Sequence, residues 1–208
     1  MKLLLGYIKK YIITLRYIKL LSYYSAKHLQ KTRLESHKHR YTYYYGFQVI
    51  YGMINKGLLL ILLGLLFNIL PQLLIVTASF VSLRIWIGGF HLDSYTKCSY
   101  FSLISFSIMA LLAKYISLNE VANILIYIFV LAIILLYAPV ENSNRPLKNN
   151  EKIKFKIISF CVLIVLFLIN LLTNNTIINN SIPYGVLLSG IIALPIMNKS
   201  KNNVESCW

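Results

Sequence analysis

The sequence predicts an all-α protein that crosses a membrane with about six transmembrane helices. Apolar residues make up 58% of the 208 residues and charged residues only 13%, about half the charged fraction of an ordinary soluble domain. Runs such as residues 121–140 are apolar on every side, as helices embedded in lipid are. A soluble core of this size could not bury so much apolar surface, because part of each helix would face water. The sequence therefore predicts a polytopic helix bundle.

A basic segment, residues 1–42, precedes the spans, and its residues 1–30 are expected to form one or two amphipathic helices on the membrane. Apolar residues recur in it at helical spacing, ending at Ile18 and at Leu21 or Ser22, while the lysines fall mostly elsewhere. Within this segment the histidine-containing stretch near its end is expected to be a solvated linker that runs from Lys27 to Arg40.

The transmembrane domain is expected to cover residues 43–198, with a functional loop at 88–98 and a tail at 199–208. Polar residues at 174–182 are expected to form a loop. The predicted spans lie near residues 45–67, 71–90, 98–117, 121–140, 154–173 and 183–198.

The distribution of the +15 net charge predicts the topology. Ten of the 21 basic residues precede residue 41, and most of the others lie in residues 142–156 or in the tail. The gaps at 68–70 and 174–182 carry none. The positive-inside rule then places both termini and the loop at 88–98 in the cytoplasm. Such clusters suit anionic lipid headgroups better than a groove for nucleic acid, so we expect membrane lipids as partners and no nucleic acid.

One stretch carries the residues of a possible active site. Arg84 lies inside an apolar span, Gly88 and Gly89 end that span, and His91 precedes Cys98 by seven residues. In one continuous helix the His91 and Cys98 side chains would be about 10 Å apart along the axis, too far for a hydrogen bond. The glycines allow the chain to fold back. Cys98 would then start the next helix, where the helix dipole and an imidazolium favour the thiolate of a nucleophile.

Two charged residues near this pair have more than one possible role. Arg84 is costly inside a span. It can bind a substrate carboxylate, pair with Glu141, hold the fold, or extend to the lipid headgroups. Asp93 can cap the following helix or orient the His91 imidazole, and the cap ranks first.

Other candidate residues are predicted to have no catalytic role. Cys161 lies mid-span among apolar residues and is expected to be an inert, buried packing residue. Cys207 is too close to the C-terminus for a prenylation motif. No His-Glu-x-x-His motif occurs and the six carboxylates are scattered, so we expect no metal site. His28, His37 and His39 are expected to be solvated surface residues.

The motif Arg84-x3-Gly88-Gly89-x-His91-x6-Cys98 and the later Ala138-Pro139-Val140-Glu141-x3-Arg145-Pro146 resemble those of the accessory gene regulator B (AgrB) family. The resemblance covers essentially the whole chain. It implies a bacterial cell-membrane cysteine endopeptidase that processes quorum-sensing propeptides. The family's catalytic histidine and cysteine fall on His91 and Cys98, and its recurrent arginine and glycine on Arg84 and Gly89. Gly88, Asp93, Glu141 and Arg145 are the further supporting candidates.

The resemblance also implies a substrate and a reaction. The substrate would be a small amphipathic propeptide, cleaved at its C-terminal side through a Cys98 thioester that allows ring closure to a thiolactone or lactone. No soluble cofactor is required, and the resemblance suggests a homodimer. The alternative is a non-enzymatic transporter or transporter subunit, which explains the hydropathy equally well but not the grouping of glycines, histidine and cysteine. The basic residues at 142–156 either recognise an acidic part of the precursor or set the topology.

Overall fold

A computed structural model describes residues 17–29, 37–88, 95–140 and 149–194, and these are helical apart from short connections. The prediction of an all-α fold is confirmed. The helices are α1 (17–29), α2 (His37–Leu66), α3 (Leu70–Ile87), α4 (Tyr95–Tyr115), α5 (Glu120–Tyr137), α6 (Asn149–Leu172) and α7 (Thr176–Ala193).

Six of these helices, α2 to α7, are long and apolar enough to span a membrane, which confirms the predicted number. The apolar stretches are Tyr41–Leu66, Leu70–Ile87, Cys98–Tyr115, Glu120–Tyr137, Asn150–Leu172 and Thr176–Ala193. The first five agree with the sequence prediction to within about four residues at each end. The protein is thus a multi-pass membrane protein.

Two predicted connections are wrong in part. The linker proposed for residues 27–40 is helical through Leu29 and again from His37. The loop proposed for residues 174–182 is helical from Thr176, because Asn175 caps α7 by accepting a hydrogen bond from the Ile177 amide at 2.9 Å. The predicted last span therefore begins seven residues too late.

The chain forms two compact units, Met1–Leu59 and Leu60–Trp208. In the first unit, α1 buries Ile18, Ser22 and Ala26 on one face, whereas Leu21 is 53% exposed. Of the two residues that the sequence pattern left open, Ser22 thus belongs to the buried face. The Ser25 hydroxyl and the Tyr51 hydroxyl share a hydrogen bond of 2.8 Å, which joins α1 to α2. The predicted division at residues 42 and 198 stays a prediction.

In the second unit, α7 is the most buried helix and packs mainly on α3, with further contacts to α4 and α5. Its glycines permit this close packing. A Cβ added at Gly185 would lie 2.6 Å from the Val76 carbonyl oxygen, and one at Gly190 would lie 2.8 Å from Val130 Cγ2. Small residues on α7 therefore allow α3 and α5 to approach it closely, as is common between helices in membranes.

Asparagine side chains link α5, α6 and α7 near one end of the second unit. Asn123 Nδ2 donates to Asn170 Oδ1 at 3.2 Å, and Asn170 Nδ2 donates to the Asn179 carbonyl at 2.9 Å. Such interhelical hydrogen bonds stabilise helix pairs where water is absent. They explain why the polar start of α7 is helical although its composition resembles a loop.

The opposite end of the second unit holds the C-terminal ends of α3 and α5 and the N-terminal ends of α4 and α6. The Trp86 and Phe155 rings pack there with centroids 5.5 Å apart, which joins α3 to α6. This is the end at which the sequence predicts the active site.

Candidate functional site

The helix α3 ends at a glycine whose backbone only glycine adopts readily. Gly88 has φ +75° and ψ −153°, and its amide donates to the Arg84 carbonyl at 3.1 Å. Residues with a side chain are strained in this region of backbone space. The chain therefore leaves α3 in a direction that Gly88 sets, three residues before His91.

A backbone contact joins this turn to the chain that follows α5. The Val140 amide donates to the Ile87 carbonyl at 2.8 Å, and Gly88 and Val140 form a short parallel bridge. A Cβ added at Gly88 would lie 2.5 Å from the Val140 carbonyl oxygen, far inside van der Waals contact. We call this feature the Gly88–Val140 contact. Within the described residues it brings together the two motifs that the family resemblance rests on.

The side chain of Arg84 supports the same turn. It is partly buried, and its Nη1 donates to the Gly88 carbonyl. Its guanidinium also lies within electrostatic range of Cys98. The structure therefore places a partly buried cation at the turn of Gly88, within electrostatic range of Cys98 at the start of α4. The other roles considered for Arg84, including a pair with Glu141, stay predictions.

Cys98 lies in the first turn of α4, with a partly exposed side chain that forms no disulfide. The Ser102 hydroxyl donates to the Cys98 carbonyl at 2.8 Å. The neighbouring Ser99 is fully buried, and its hydroxyl has no hydrogen-bond partner among the described residues. The N-terminal end of a helix and the Arg84 cation both stabilise an anion at the position of Cys98.

Five predicted site residues lie outside the described residues, so the structure does not test them: Gly89, His91, Asp93, Glu141 and Arg145. Of the predicted set, Arg84, Gly88 and Cys98 are described, and all three are at the same end of the second unit.

Sequence reasoning missed two residues beside the predicted site, Val140 and Ser99. Val140 was part of the second family motif, and the position of both motifs at span ends on one membrane side was a signal that they meet. A buried serine next to Cys98 carries no comparable signal, since its burial depends on packing.

The prediction that Cys161 is buried is wrong. Its side chain is exposed on α6, because α6 packs on its neighbours through residues such as Ser159, Leu163 and Leu166 and turns Cys161 outward. An apolar thiol on this face suits the lipid of a membrane as well as a protein core would. Cys161 lies in a helix face away from these buried residues, so it provides an exposed reference thiol.

Among the described residues, the site end carries more basic than acidic side chains, although Glu151 also lies there, in the first turn of α6. Lys152 and Lys154 lie in the first turns of α6, and Lys156 Nζ donates to the Leu135 carbonyl in the last turn of α5. A lysine bonded to terminal carbonyls stabilises a helix C-terminus. Within the described residues, no group of three or more His, Cys, Asp or Glu side chains could hold a metal ion.

Taken together, the helices and this site define a multi-pass membrane protein with a cysteine at the start of a span and a partly buried arginine within electrostatic range of it. The family model for Accessory gene regulator B matches residues 18–193. The chain therefore belongs to the AgrB family.

Individual relatives agree with this family. The chain is 30% identical over 128 residues to a putative AgrB-like protein of Clostridium beijerinckii, which is 61% of this chain and 64% of that protein. It is 26% identical over 151 residues to Accessory gene regulator protein B of Staphylococcus carnosus, which is 73% of this chain and 78% of that protein. A second clostridial relative, from Clostridium acetobutylicum, is matched over 54% of its length at 30% identity. No solved structure matches the chain significantly.

Proposed function

We propose that this protein is a cysteine endopeptidase of the bacterial cell membrane that cleaves a small amphipathic propeptide at its C-terminal side. Membership of the AgrB family supports an activity in the accessory gene regulator system. The observation that carries the proposal is the partly exposed thiol of Cys98 in the first turn of α4, beside the Arg84 cation. A nucleophilic cysteine needs this combination of access and positive potential.

The proposed reaction has two steps. In the first, His91 takes the Cys98 thiol proton, the sulfur bonds to the scissile carbonyl carbon, and the peptide C–N bond breaks. The leaving amine receives the proton from His91, and the N-terminal fragment stays on Cys98 as a thioester. In the second, a thiol or hydroxyl of the same peptide attacks the thioester. The carbon–sulfur bond to Cys98 breaks, the ring closes, and the proton returns to Cys98.

A thioester suits ring closure because it retains the activation of the acyl group. An attack from within the bound peptide benefits from a high effective concentration. Shielding from water at the membrane face would suppress hydrolysis of the thioester. The ring product and the free C-terminal fragment together account for all atoms of the precursor.

The cytoplasmic side is the proposed location of the site. Among the described residues of the second unit, Lys152, Lys154 and Lys156 lie at the site end, whereas Lys114 lies at the other end and bonds the Asn68 carbonyl at 3.0 Å. This asymmetry supports a cytoplasmic site by the positive-inside rule. An amphipathic precursor that binds the inner leaflet would then reach Cys98 by diffusion along the membrane.

The test is to incubate a candidate precursor, encoded beside the gene, with membranes that contain wild type, Cys98→Ala or Cys161→Ala. Mass spectrometry should detect a C-terminally truncated peptide with wild type and Cys161→Ala but not with Cys98→Ala. Equal cleavage by Cys98→Ala would remove Cys98 from the mechanism. If several neighbouring precursors stay intact with properly inserted wild type, the transporter alternative gains instead.

A further inference from the structure

The backbone at Gly88 satisfies two geometric requirements at once, and both exclude a side chain. The first requirement is its φ of +75°, a backbone conformation that residues with a side chain rarely adopt. The other is the Val140 carbonyl oxygen, which lies 2.5 Å from the position that an alanine Cβ would take. By comparison, a Cβ added at Gly57 in α2 would meet no atom within 4 Å. The two glycines therefore differ sharply in what an alanine would disturb.

Three hydrogen bonds converge on the turn. The Val140 amide donates to the Ile87 carbonyl, the Gly88 amide donates to the Arg84 carbonyl, and the Arg84 guanidinium donates to the Gly88 carbonyl. The bond from the Arg84 side chain depends on where the Gly88 peptide unit points. If the turn moves, the guanidinium loses this acceptor and moves too.

We propose that the Gly88–Val140 contact positions the active site, because it fixes the end of α3 and, through the Gly88 carbonyl, the Arg84 guanidinium. Gly88 is thus a positioning residue and not a catalytic one, and Val140 acts through its backbone. This inference rests on the proposed function of Cys98 for its effect on cleavage. Its effect on the surroundings of Cys98 needs no substrate.

The consequence for the thiol follows from charge. Arg84 interacts electrostatically with Cys98, so the guanidinium attracts an anionic reagent to the thiol more than a neutral one. The ratio of the alkylation rates with iodoacetate and iodoacetamide therefore reports whether Arg84 is in place. General loss of thiol access slows both reagents and leaves this ratio unchanged.

The experiment uses the full chain in membranes, with Cys161→Ser and Cys207→Ser so that Cys98 is the only thiol. Gly88→Ala is compared with Gly57→Ala, the same change where space is free. Arg84→Gln gives the ratio expected when the charge is absent. We expect Gly88→Ala to lower the iodoacetate-to-iodoacetamide ratio toward that of Arg84→Gln and to reduce precursor cleavage by about 100-fold, mostly in kcat. Gly57→Ala should keep the wild-type alkylation ratio and the wild-type rate of precursor cleavage.

A second variant disturbs the contact from the other side. Val140→Pro removes the amide that donates to Ile87 and leaves Gly88 unchanged, whereas Val140→Ala keeps that amide and serves as its control. Val140→Pro should reproduce the effect of Gly88→Ala, and Val140→Ala should not. If both disruptive variants fail to accumulate in membranes while the controls accumulate, the contact is a folding element and the proposal is overturned.

Two further results would contradict the proposal. The first is a wild-type ratio in Gly88→Ala and Val140→Pro, whatever their activity. The second is a lowered ratio with normal cleavage. Failure of the proposed function has a different signature, since wild type and Cys98→Ala would then treat the precursor alike while the alkylation ratios still differ among the variants.

Discussion

Two serines, Ser99 near the start of α4 and Ser159 in the middle of α6, are both fully buried but differ in hydrogen bonding. The Ser159 hydroxyl donates to the Phe155 carbonyl at 2.7 Å. The Ser99 hydroxyl has no partner among the described residues. A buried hydroxyl without a partner costs about 1–3 kcal/mol, whereas a bonded one is close to neutral or mildly stabilising. The unpartnered hydroxyl of Ser99, the residue next to the proposed nucleophile, therefore lowers the free energy of unfolding of the protein.

Ser99→Ala is expected to raise the free energy of unfolding by about 1 kcal/mol, because it removes the unpartnered hydroxyl. Ser159→Ala, the matched change at a bonded hydroxyl, should leave that free energy unchanged or lower it. Both changes gain the same helix propensity, so their difference isolates the hydrogen bond. Denaturation in detergent would measure the change in the free energy of unfolding for each variant. A larger loss for Ser99→Ala than for Ser159→Ala would contradict the cost assigned to the Ser99 hydroxyl.

At this scale the sequence predicts residue chemistry better than residue environment. Cys161 shows the limit, because an apolar span gives no indication of which face meets protein and which meets lipid. Ser22 shows the same ambiguity, since Leu21 is equally compatible with the helical spacing but is exposed. The arginine at position 84 was different. Its charge inside a span required a partner, and the structure supplies the Gly88 carbonyl.

Among the elements, α7 depends most on residues without large side chains. Gly185 lies against the backbone of α3, where neither the Val76 carbonyl nor the Phe80 amide can move without disturbing the helix. Ser79 on the same face is buried and bonds the Ile75 carbonyl at 2.8 Å. The close approach of α3 and α7 therefore depends on the glycine.

Gly185→Ala is expected to lower the free energy of unfolding by about 1–3 kcal/mol, because the added methyl forces α3 and α7 apart. The matched control is Gly46→Ala, where no atom lies within 4 Å of the added Cβ. The control should gain stability from its higher helix propensity. Unfolding titrations of both variants in mixed micelles would show the difference, and equal stability of the two would refute a packing role for Gly185.

The elements themselves were largely predictable because length and apolar composition decide whether a helix can span a membrane. The exceptions are the predicted linker at 27–40, which is helical at both of its ends, and the start of α7. The asparagines at the start of α7 resemble a loop in the sequence, but Asn179 and Asn170 are neighbours only in the folded protein. The backbone pairing in the Gly88–Val140 contact could not be predicted for the same reason, because it joins positions 52 residues apart. Only the common membrane side of the two motifs indicated that they meet.

At the scale of the whole molecule, the topology is predicted from the unequal charge at the two ends of the second unit. The expected arrangement places both termini and Cys98 in the cytoplasm. Asn174, which is exposed between α6 and α7, would then lie on the outer side. Cys98 and Asn174 are thus expected on opposite sides of the membrane, so that a label at each position reports which side it faces.

A membrane-impermeant maleimide should label Asn174→Cys in intact cells, in a background without other cysteines, because that residue is expected to face outward. A chain whose only cysteine is Cys98 should be labelled only after the cells are opened. A permeant maleimide applied to both strains controls for reactivity. Labelling of Cys98 in intact cells would contradict the cytoplasmic site and would require a precursor delivered from outside.

The most direct test of the central claim is detection of the thioester on Cys98. A precursor labelled in its N-terminal part is mixed with membranes of wild type or Cys98→Ala, quenched in acid, and analysed by mass spectrometry of the intact protein. We predict a wild-type adduct with the mass of the N-terminal fragment, released by hydroxylamine and absent from Cys98→Ala. A truncated peptide formed without such an adduct, or an adduct that persists in Cys98→Ala, would contradict nucleophilic catalysis by Cys98.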